Sequence, residues 1–184
     1  MKNAVKWAHY DIMGNMGQIC TTTSRIFIHE RIYDEFIELF LKCTAKISIV
    51  GDPFDEKTWH GPQVSKAQRV PRFWLVASKA YFIDPTVVGD VNPSMKVYQE
   101  EIFGPFAVVV KFTSEEEVIK AANDTEYGLA ATLFTTGVTR VVRVSQQLRD
   151  GNIWINSKNN SDFRVPLARM KQSGIGRELG EAVL

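Results

Sequence analysis

A cysteine follows a glycine-rich turn near the start of the sequence, in the stretch GNMGQIC that covers residues 14–20. A thiol is a strong nucleophile in its thiolate form, and exposed backbone amides or a helix end favour that form. The glycines allow the backbone to approach a substrate closely and to aim N–H groups at a developing oxyanion. Asn15 and Gln18 add polar side chains able to order the turn. Cys20 is therefore a candidate nucleophile, although a lone cysteine in such a turn is more often a packed residue.

The other residues of reactive type do not indicate a second site. Cys43 falls on an apolar helical pattern, which indicates packing. His9, His29 and His60 lack a second ligand at the spacing that metal sites use, so no bound metal is expected. The stretch GIGRELG, residues 174–180, follows no predicted strand, so we interpret it as a structural turn and helix start and not as a phosphate loop.

Composition limits the classes of partner. The 184 residues carry a formal net charge of +1 without a basic patch, which argues against nucleic acid or an anionic membrane as partner. No apolar run is long enough to span a bilayer, and residues 1–15 lack the compact apolar stretch of a signal peptide. With only two cysteines, a disulfide framework is not expected, and a reducing, cytoplasmic compartment fits best.

Helices and a strand are predicted on both sides of the candidate nucleophile. Residues 4–13 predict a helix that ends at the glycines of the turn, and its apolar stripe is formed by Ala4, Val5, Ala8 and Ile12. Residues 25–30, RIFIHE, predict a short strand. The buried face of a second helix is predicted from Tyr33, Phe36, Ile37, Phe40 and Leu41.

The remaining elements alternate between strand and helix. Residues 81–91 predict an edge or broken strand because of Pro85, and FAVVVKF, residues 106–112, predicts a strand covered on both faces. Ser114 and Glu117 form a capping box that begins a helix. The pattern is completed by strand LAATLFT, a helix that ends at Gly151 as its C′ residue, and strand NIWIN. The helix is predicted from the spacing of Val138, Val141, Val142, Ser145 and Leu148. Short connections of this kind indicate βαβ units, a largely parallel sheet and a single domain over residues 1–184.

Several blocks of this sequence resemble the aldehyde dehydrogenase superfamily, most closely its NAD-preferring, broad-substrate members. They follow one another in family order and cover nearly the whole chain, so the match is specific. The blocks are GNMGQICTTTSR, GDPFDEKTWHGPQVS, YFIDPTVVGDV, EEIFGPFAVVVKF, ANDTEYGLAATLFT, GNIWINS and KQSGIGRELGE. The resemblance implies a three-layer α/β/α fold with a mostly parallel sheet, like the catalytic domain of that family.

The resemblance also implies roles for individual residues. Cys20 matches the catalytic cysteine, Glu101 the carboxylate that holds the nicotinamide ribose, and Phe103 the aromatic residue that positions the nicotinamide. Asn156 and Leu167 match positions that face the substrate. Without the resemblance, we would interpret Glu101 as a solvated loop carboxylate, Phe103 as a core residue and Asn156 as the end of a strand.

The reaction implied by the resemblance is the oxidation of an aldehyde to a carboxylic acid with NAD or NADP as cofactor. Cys20 would attack the carbonyl to form a thiohemiacetal, hydride would pass to the nicotinamide, and water would hydrolyse the resulting thioester. A small-molecule aldehyde is the expected substrate. Relatives assemble as homo-oligomers, which for this chain is left open.

The chain departs from the family pattern at several places. The family's cofactor-binding domain, with its general base and oxyanion-hole asparagine, lies ahead of the matching segment, so we expect a catalytic-domain fragment that is inactive alone. The stretch RVPRFWLVASKA, residues 69–80, stands where relatives have a longer helix and a glycine-rich turn. It predicts an irregular segment, or at best a short distorted helix, with exposed apolar surface. Leu167, Ala168 and Arg169 stand where relatives have an aromatic residue and two glycines. The chain also stops at GEAVL, before the final strand that relatives use in assembly.

Two other functions compete with a dehydrogenase. One is a non-catalytic remnant that only assembles with full-length relatives. The other is an esterase that depends on Cys20, because an acyl-enzyme forms on a thiol without a cofactor. An assay of NAD reduction separates the dehydrogenase from both, and an ester assay with the thiol blocked separates the esterase from the remnant.

Overall fold

The computed structural model of this protein describes residues 1–65 and 81–181. Segment 69–80, with its predicted irregular conformation, lies outside the described residues. The chain divides into two compact units, Met1–Lys111 and Phe112–Leu184, of which the first contains the cysteine turn. In the described ranges, no helix is both long enough and apolar enough to cross a membrane.

The described part of the first unit is built from helices and strands in mixed order. They are α1 (Lys2–Met13), β1 (Arg25–His29), α2 (Tyr33–Ile47), β2 (Thr86–Val88), α3 (Lys96–Gln99) and β3 (Phe106–Phe112), the last of which reaches the boundary of the unit. The predicted stripe of α1 is confirmed, because Val5 and Ile12 are buried and Ala4 and Ala8 pack against the same cluster. This face of α1 packs against α2.

Helix α2 buries a slightly different face from the one predicted. Phe36 and Phe40 are buried as expected, and Ile37 packs against the same cluster. The prediction for Leu41 is wrong, since 47% of its surface is exposed. The buried positions continue from Phe40 to Thr44, a spacing of four residues, so Leu41 falls on the flank of the helix.

Strand β3 lies at the centre of a sheet in which the strand order is β1, β3, β2. Its alternating residues enter two separate clusters: Ala107 and Val109 pack with the helices, whereas Phe106 and Val108 pack around Tyr98. The prediction of a strand covered on both faces is therefore confirmed. Strand β2 pairs with β3 in parallel and lies at the sheet edge, as predicted from the proline that precedes it.

The second unit begins with the predicted capping box. The side chain of Ser114 accepts a hydrogen bond from the Glu117 amide at 3.2 Å, and the Glu117 carboxylate accepts one from the Ser114 amide at 3.4 Å. The elements that follow are α4 (Glu115–Asn123), β4 (Tyr127–Gly128), β5 (Ala130–Leu133), α5 (Val138–Ser145), β6 (Asn152–Ile155), β7 (Leu167–Ala168), β8 (Met170–Lys171) and β9 (Arg177–Glu178). Strands β5 and β6 are parallel with α5 between them, so the predicted βαβ unit is confirmed.

The prediction of where α5 ends is wrong. Helix α5 ends at Ser145, so Gly151 is not its C′ residue. A Cβ atom on Gly151 would lie 2.1 Å from the carbonyl oxygen of Ala168, so glycine is needed there for a close approach of two backbones. The neighbouring Asn152 secures that approach, because its side chain donates to Ala168 O at 2.7 Å.

The stretch GIGRELG does not begin a helix. Arg177 and Glu178 instead form β9, which pairs antiparallel with β7. The guanidinium Nη1 of Arg177 donates to the carbonyl oxygens of Arg169, Ile175 and Gly176, so the segment is held by side-chain bonds and not by helical ones. These antiparallel pairs are only two residues long.

Candidate active site

The turn that connects α1 to Cys20 has an unusual backbone. Residues Gly14–Gly17 form a 3-10 turn, and Asn15, Met16 and Gly17 have positive φ angles of 48°, 55° and 68°. Non-glycine residues adopt this left-handed region rarely, because Cβ then crowds the backbone. The turn ends just before Cys20, whose side chain is exposed and forms no disulfide. A strained segment thus delivers an accessible thiol to the surface of the unit.

Polar side chains hold this turn from two directions. Asn15 donates from its side-chain amide to the carbonyl oxygen of Gln18 at 3.1 Å. The side-chain amide of Gln63 donates to the carbonyl oxygen of Met16 at 3.1 Å, and the backbone amide of Val64 donates to the side-chain oxygen of Gln18 at 3.0 Å. The prediction that Asn15 and Gln18 order the turn is confirmed. Gln63 was not predicted, and no local pattern marks it because its partner lies 47 positions earlier in the chain.

The segment after the cysteine is held by a buried carboxylate on α1. Asp11 is only 2% exposed, and its Oδ2 accepts hydrogen bonds from the backbone amide of Thr23, at 3.0 Å, and from the Thr23 hydroxyl. The hydroxyl of Thr22 donates to the backbone oxygen of Asp11 at 3.2 Å. Both flanks of Cys20 are therefore fastened within the first unit. An acidic residue between apolar helix positions was the sequence signal for Asp11, which sequence reasoning missed.

The cysteine turn lies directly against the segment that contains the other two predicted residues of this unit. A Cβ atom on Gly17 would lie 2.0 Å from the carbonyl oxygen of Gly104, so the two backbones are in contact. Cys20 is three residues after Gly17, and Glu101 is three residues before Gly104. Because three residues span at most about 10 Å, both side chains belong to the neighbourhood of this contact. Phe103 is half-buried beside it.

Asn156 and Leu167 belong to the second unit. Asn156 ends β6 with a positive φ of 54°, and its side chain accepts from the Thr135 amide at 3.0 Å and donates to the Thr135 oxygen at 2.8 Å. These bonds give Asn156 a structural task at the end of a strand. Leu167 is half-buried in β7, where it pairs with Glu178. The substrate-facing roles of both residues stay predictions.

Two histidines that are far apart in the sequence form a stack with a tryptophan. The ring of Trp59 stacks with those of both His9 and His60, with centroid distances of 5.0 Å and 5.1 Å. His9 Nε2 is hydrogen-bonded to the Ser48 hydroxyl at 2.9 Å, and His60 Nε2 donates to the carbonyl oxygen of Met13 at 2.7 Å. His60 therefore fixes the last residue of α1, where the cysteine turn begins.

Burial keeps both histidines of the stack neutral. Desolvation, followed by the charge of His60, lowers the pKa of His9 to about 4. Desolvation also lowers the pKa of His60, against the opposing effect of its bond to Met13. In the described part of the chain, no group of three or more His, Cys, Asp or Glu side chains has a geometry that could hold a metal ion.

Cys43 has the properties of a packing residue. It is half-buried on α2 and packs against the hydrophobic core cluster of the first unit. Burial raises the pKa of the Cys43 thiol above its ordinary value, against a smaller opposing effect of Lys46. A raised thiol pKa leaves less thiolate at neutral pH, so Cys43 is the weaker nucleophile on physical grounds.

The described residues define an α/β protein with a thiol exposed on a strained turn, an arrangement suited to covalent catalysis. The chain matches the aldehyde dehydrogenase family over residues 1–71 and 75–184. It is 43% identical to an aldehyde dehydrogenase of Emericella nidulans and 45% identical to one of Aspergillus niger, in both cases over 99% of this chain and 40% of the relative. The chain therefore belongs to the aldehyde dehydrogenase family.

Solved structures give the same result for the fold. An NAD⁺ complex of aldehyde dehydrogenase from Bacillus cereus matches with a TM-score of 0.90 and 35% identity, over 100% of this chain and 40% of that one. An NAD⁺ complex of betaine aldehyde dehydrogenase from Staphylococcus aureus matches with a TM-score of 0.90 and 33% identity, over 99% and 40%. The predicted fold class and family are confirmed.

The chain spans about 40% of the length of the curated relatives it matches. The alignment with the Emericella nidulans enzyme has 199 positions, more than the 184 residues of this chain, so that relative carries residues that are missing here. The three residues outside the family match, 72–74, fall within the stretch 69–80 that departs from the family pattern.

Proposed function

We propose that this chain supplies the nucleophile and part of the cofactor contacts for NAD(P)⁺-dependent oxidation of aldehydes to carboxylic acids. The contact between Gly17 and Gly104 carries the proposal, because it places the turn of Cys20 against the segment of Glu101 and Phe103. The family match supports it independently.

The residues near this contact fit a nicotinamide cofactor. Glu101 is exposed, and within the described residues no ion pair engages its carboxylate, which leaves its oxygens available for the two hydroxyls of a ribose. Phe103 offers an apolar ring beside it. When bound, NAD(P)⁺ supplies the oxidant that accepts hydride from the cysteine-bound substrate.

The chemistry of the chain itself is carried by the sulfur of Cys20. As thiolate, Sγ adds to the aldehyde carbon and gives a thiohemiacetal, whose oxygen carries the negative charge that nearby backbone N–H groups stabilise. Loss of hydride from that carbon leaves a thioester on Sγ. Hydrolysis then releases the carboxylic acid and restores the thiol. Hydrogen bonds of Gln63 and Asp11 fasten the backbone on both flanks of this sulfur.

An acyl-transfer experiment tests the assignment of the nucleophile without requiring a complete enzyme. p-Nitrophenyl acetate is added to the 184-residue chain, and the acetylated residue is located by peptide mass spectrometry. We expect acetylation of Cys20 that is lost in Cys20→Ser and kept in Cys43→Ser. Acetylation of Cys43 instead, or of neither cysteine, would refute the proposal for Cys20.

Assays with acetaldehyde and NAD⁺ address the overall reaction. Because the chain covers about 40% of its relatives, we expect no measurable NAD⁺ reduction by the 184-residue chain alone. Removing a general base lowers the catalytic rate about 10²–10⁴-fold, and removing an oxyanion donor lowers it about 10²–10³-fold. Robust turnover that Cys20→Ser abolishes would show that these 184 residues suffice.

Repeated turnover of the ester by Cys20, without NAD⁺, would favour the esterase alternative. The exposure of Cys20 is the observation that supports the esterase alternative.

A cytoplasmic location and assembly into homo-oligomers also belong to the proposal. The two free thiols support the first, and measurement of the native mass tests the second.

A further inference from the structure

Gln63 and the cysteine turn are joined by a reciprocal pair of hydrogen bonds. The Nε2 of Gln63 donates to the carbonyl oxygen of Met16 at 3.1 Å, and the amide of the next residue, Val64, donates to the Oε1 of Gln18 at 3.0 Å. Each segment thus contributes one side chain and one backbone group. The two bonds end two and four residues before Cys20.

The bond from Gln63 reaches the turn where its backbone is least favourable. Met16 has a φ of 55°, in the left-handed region that costs free energy for a residue with a Cβ. Asn15, which shares this conformation, has a polar side chain that bonds locally, whereas Met16 has none. Its carbonyl oxygen can only accept, so the donating Nε2 of Gln63 must face it. The bond from Gln63 therefore stabilises Met16, whose own side chain cannot form a hydrogen bond to the turn.

The other half of the same amide shows that Gln63 is poorly suited to stabilising the fold. Gln63 is only 3% exposed, and its Oε1 is buried without a hydrogen-bond partner among the described residues. A buried acceptor that lacks a donor lowers stability. A methionine of nearly the same shape would fill the space without that cost. Gln63 therefore orders the turn through its Nε2 but adds little net stability to the fold, because the bond and the unpaired Oε1 act in opposite directions.

We infer that Gln63 is a positioning residue for Cys20, holding the turn at Met16 so that the thiol keeps one orientation. The inference rests on the proposed function only for the role of Cys20 as nucleophile. Gln63 acts through the backbone of residues 16–20 and does not itself need to touch substrate. The inference predicts that loss of the amide lowers local order at the turn while the global stability of the chain stays nearly unchanged.

Three variants and a local measurement test the inference. Gln63→Met removes the bond and keeps the volume, Gln63→Glu replaces the donor by a carboxylate, and Gln18→Met removes only the second bond. Hydrogen exchange is followed at the amides of Gln18 and Thr22, which are bonded to Asn15 O and Ile19 O. We expect Gln63→Met to lower their protection about fivefold, the effect of losing one hydrogen bond. Amides within α2 serve as the control and keep their protection.

Two further readouts separate positioning from a structural role. A nitroxide label on Cys20, in a Cys43→Ala background, becomes more mobile in Gln63→Met, whereas a label on Cys43, in a Cys20→Ala background, does not change. The thermal midpoint of Gln63→Met stays within about 2 °C of the parent, because the lost bond and the removed orphan acceptor offset each other.

Acidification supplies a chemical rescue. A buried carboxyl at position 63 is protonated at about pH 5, and its O–H can then donate to Met16 O in place of the lost amide. We therefore expect Gln63→Glu to recover protection at the turn at that pH, measured against Gln63→Met at the same pH. The inference is overturned by an unchanged turn in Gln63→Met, by an equal loss of protection in α2, or by no recovery in Gln63→Glu. None of these readouts depends on dehydrogenase activity, so they stand or fall separately from the proposed function.

Discussion

The carbonyl oxygen of Gly104 occupies the space that a side chain on Gly17 would need, with only 2.0 Å between the oxygen and the ideal Cβ position. The contact brings together two segments that are far apart in the sequence, one containing Cys20 and the other Glu101. Glycine is required at position 17, whereas a Cβ on Gly104 would meet no atom closer than 4.0 Å. Gly17 has a φ of 68° and no room for a Cβ, whereas Gly104 is buried where the chain enters β3.

Substitution of Gly17 by alanine should damage the fold of the first unit locally and measurably. The left-handed backbone alone costs about 1–2 kcal/mol for a residue with a Cβ, and the overlap with Gly104 adds to it. Urea unfolding of Gly17→Ala measures the loss. Gly14→Ala is the matched control, because Gly14 has a φ of −59° and no atom within 4 Å of its Cβ position. Equal stability of the two variants would contradict the contact.

Brief treatment with iodoacetamide at neutral pH should modify Cys20 before Cys43. Cys20 is exposed on the turn, whereas burial raises the pKa of Cys43 and shields its sulfur. Peptide mapping after a short reaction gives the ratio of the two labels, and the fully unfolded chain in urea gives the reference ratio. Equal labelling in the native chain, or a preference for Cys43, would remove the support for an accessible nucleophile.

The capping box of α4 should make a separable contribution to the second unit. Ser114→Ala removes the side-chain acceptor of the Glu117 amide and is expected to cost about 1 kcal/mol. Chemical unfolding measures the change. Glu116→Ala on the same first turn is the control, because Glu116 is exposed and takes no part in the box. A loss in the control as large as in Ser114→Ala would assign the effect to helix propensity or charge and not to the cap.

Local patterns predicted the elements well. The stripe of α1, the capping box of α4 and the two-sided burial of β3 follow from residue periodicity and capping chemistry, which act within a few positions. The errors occurred where contacts between residues far apart in the sequence determine the conformation. Gly151 lies next to the backbone of Ala168 and not at a helix end, and the Arg177 guanidinium holds a strand where a helix start was predicted.

The candidate site was predicted only in part for the same reason. Cys20, Glu101 and Phe103 carry recognisable motifs, and the structure brings their segments together through Gly17 and Gly104. Gln63 and Asp11 carry none, since several polar residue types can donate to a backbone oxygen, as Gln63 does, or accept from a backbone amide, as Asp11 does. Their bonding partners lie 47 and 12 positions away, and the acidic residue among the apolar positions of α1 marked Asp11 without indicating its partner.

The histidine stack makes acid stability the last test of the first unit. His9 has a pKa of about 4 in the folded chain against 6.5 as its ordinary value, so folding favours the neutral ring. Between these values the unfolded chain binds more protons, and the free energy of unfolding therefore falls as the pH falls from about 6.5 to about 4. Above that window the contribution is fully present. The depressed pKa of His60 acts in the same direction.

We expect a loss of about 2 kcal/mol from His9 between pH 7.5 and pH 5, measured by urea unfolding at both values. His9→Gln places an amide where Nε2 bonds the Ser48 hydroxyl and cannot titrate, so its pH dependence should be flatter than that of the parent chain. If His9→Gln loses as much stability on acidification as the parent does, the stack is not the acid-sensitive element.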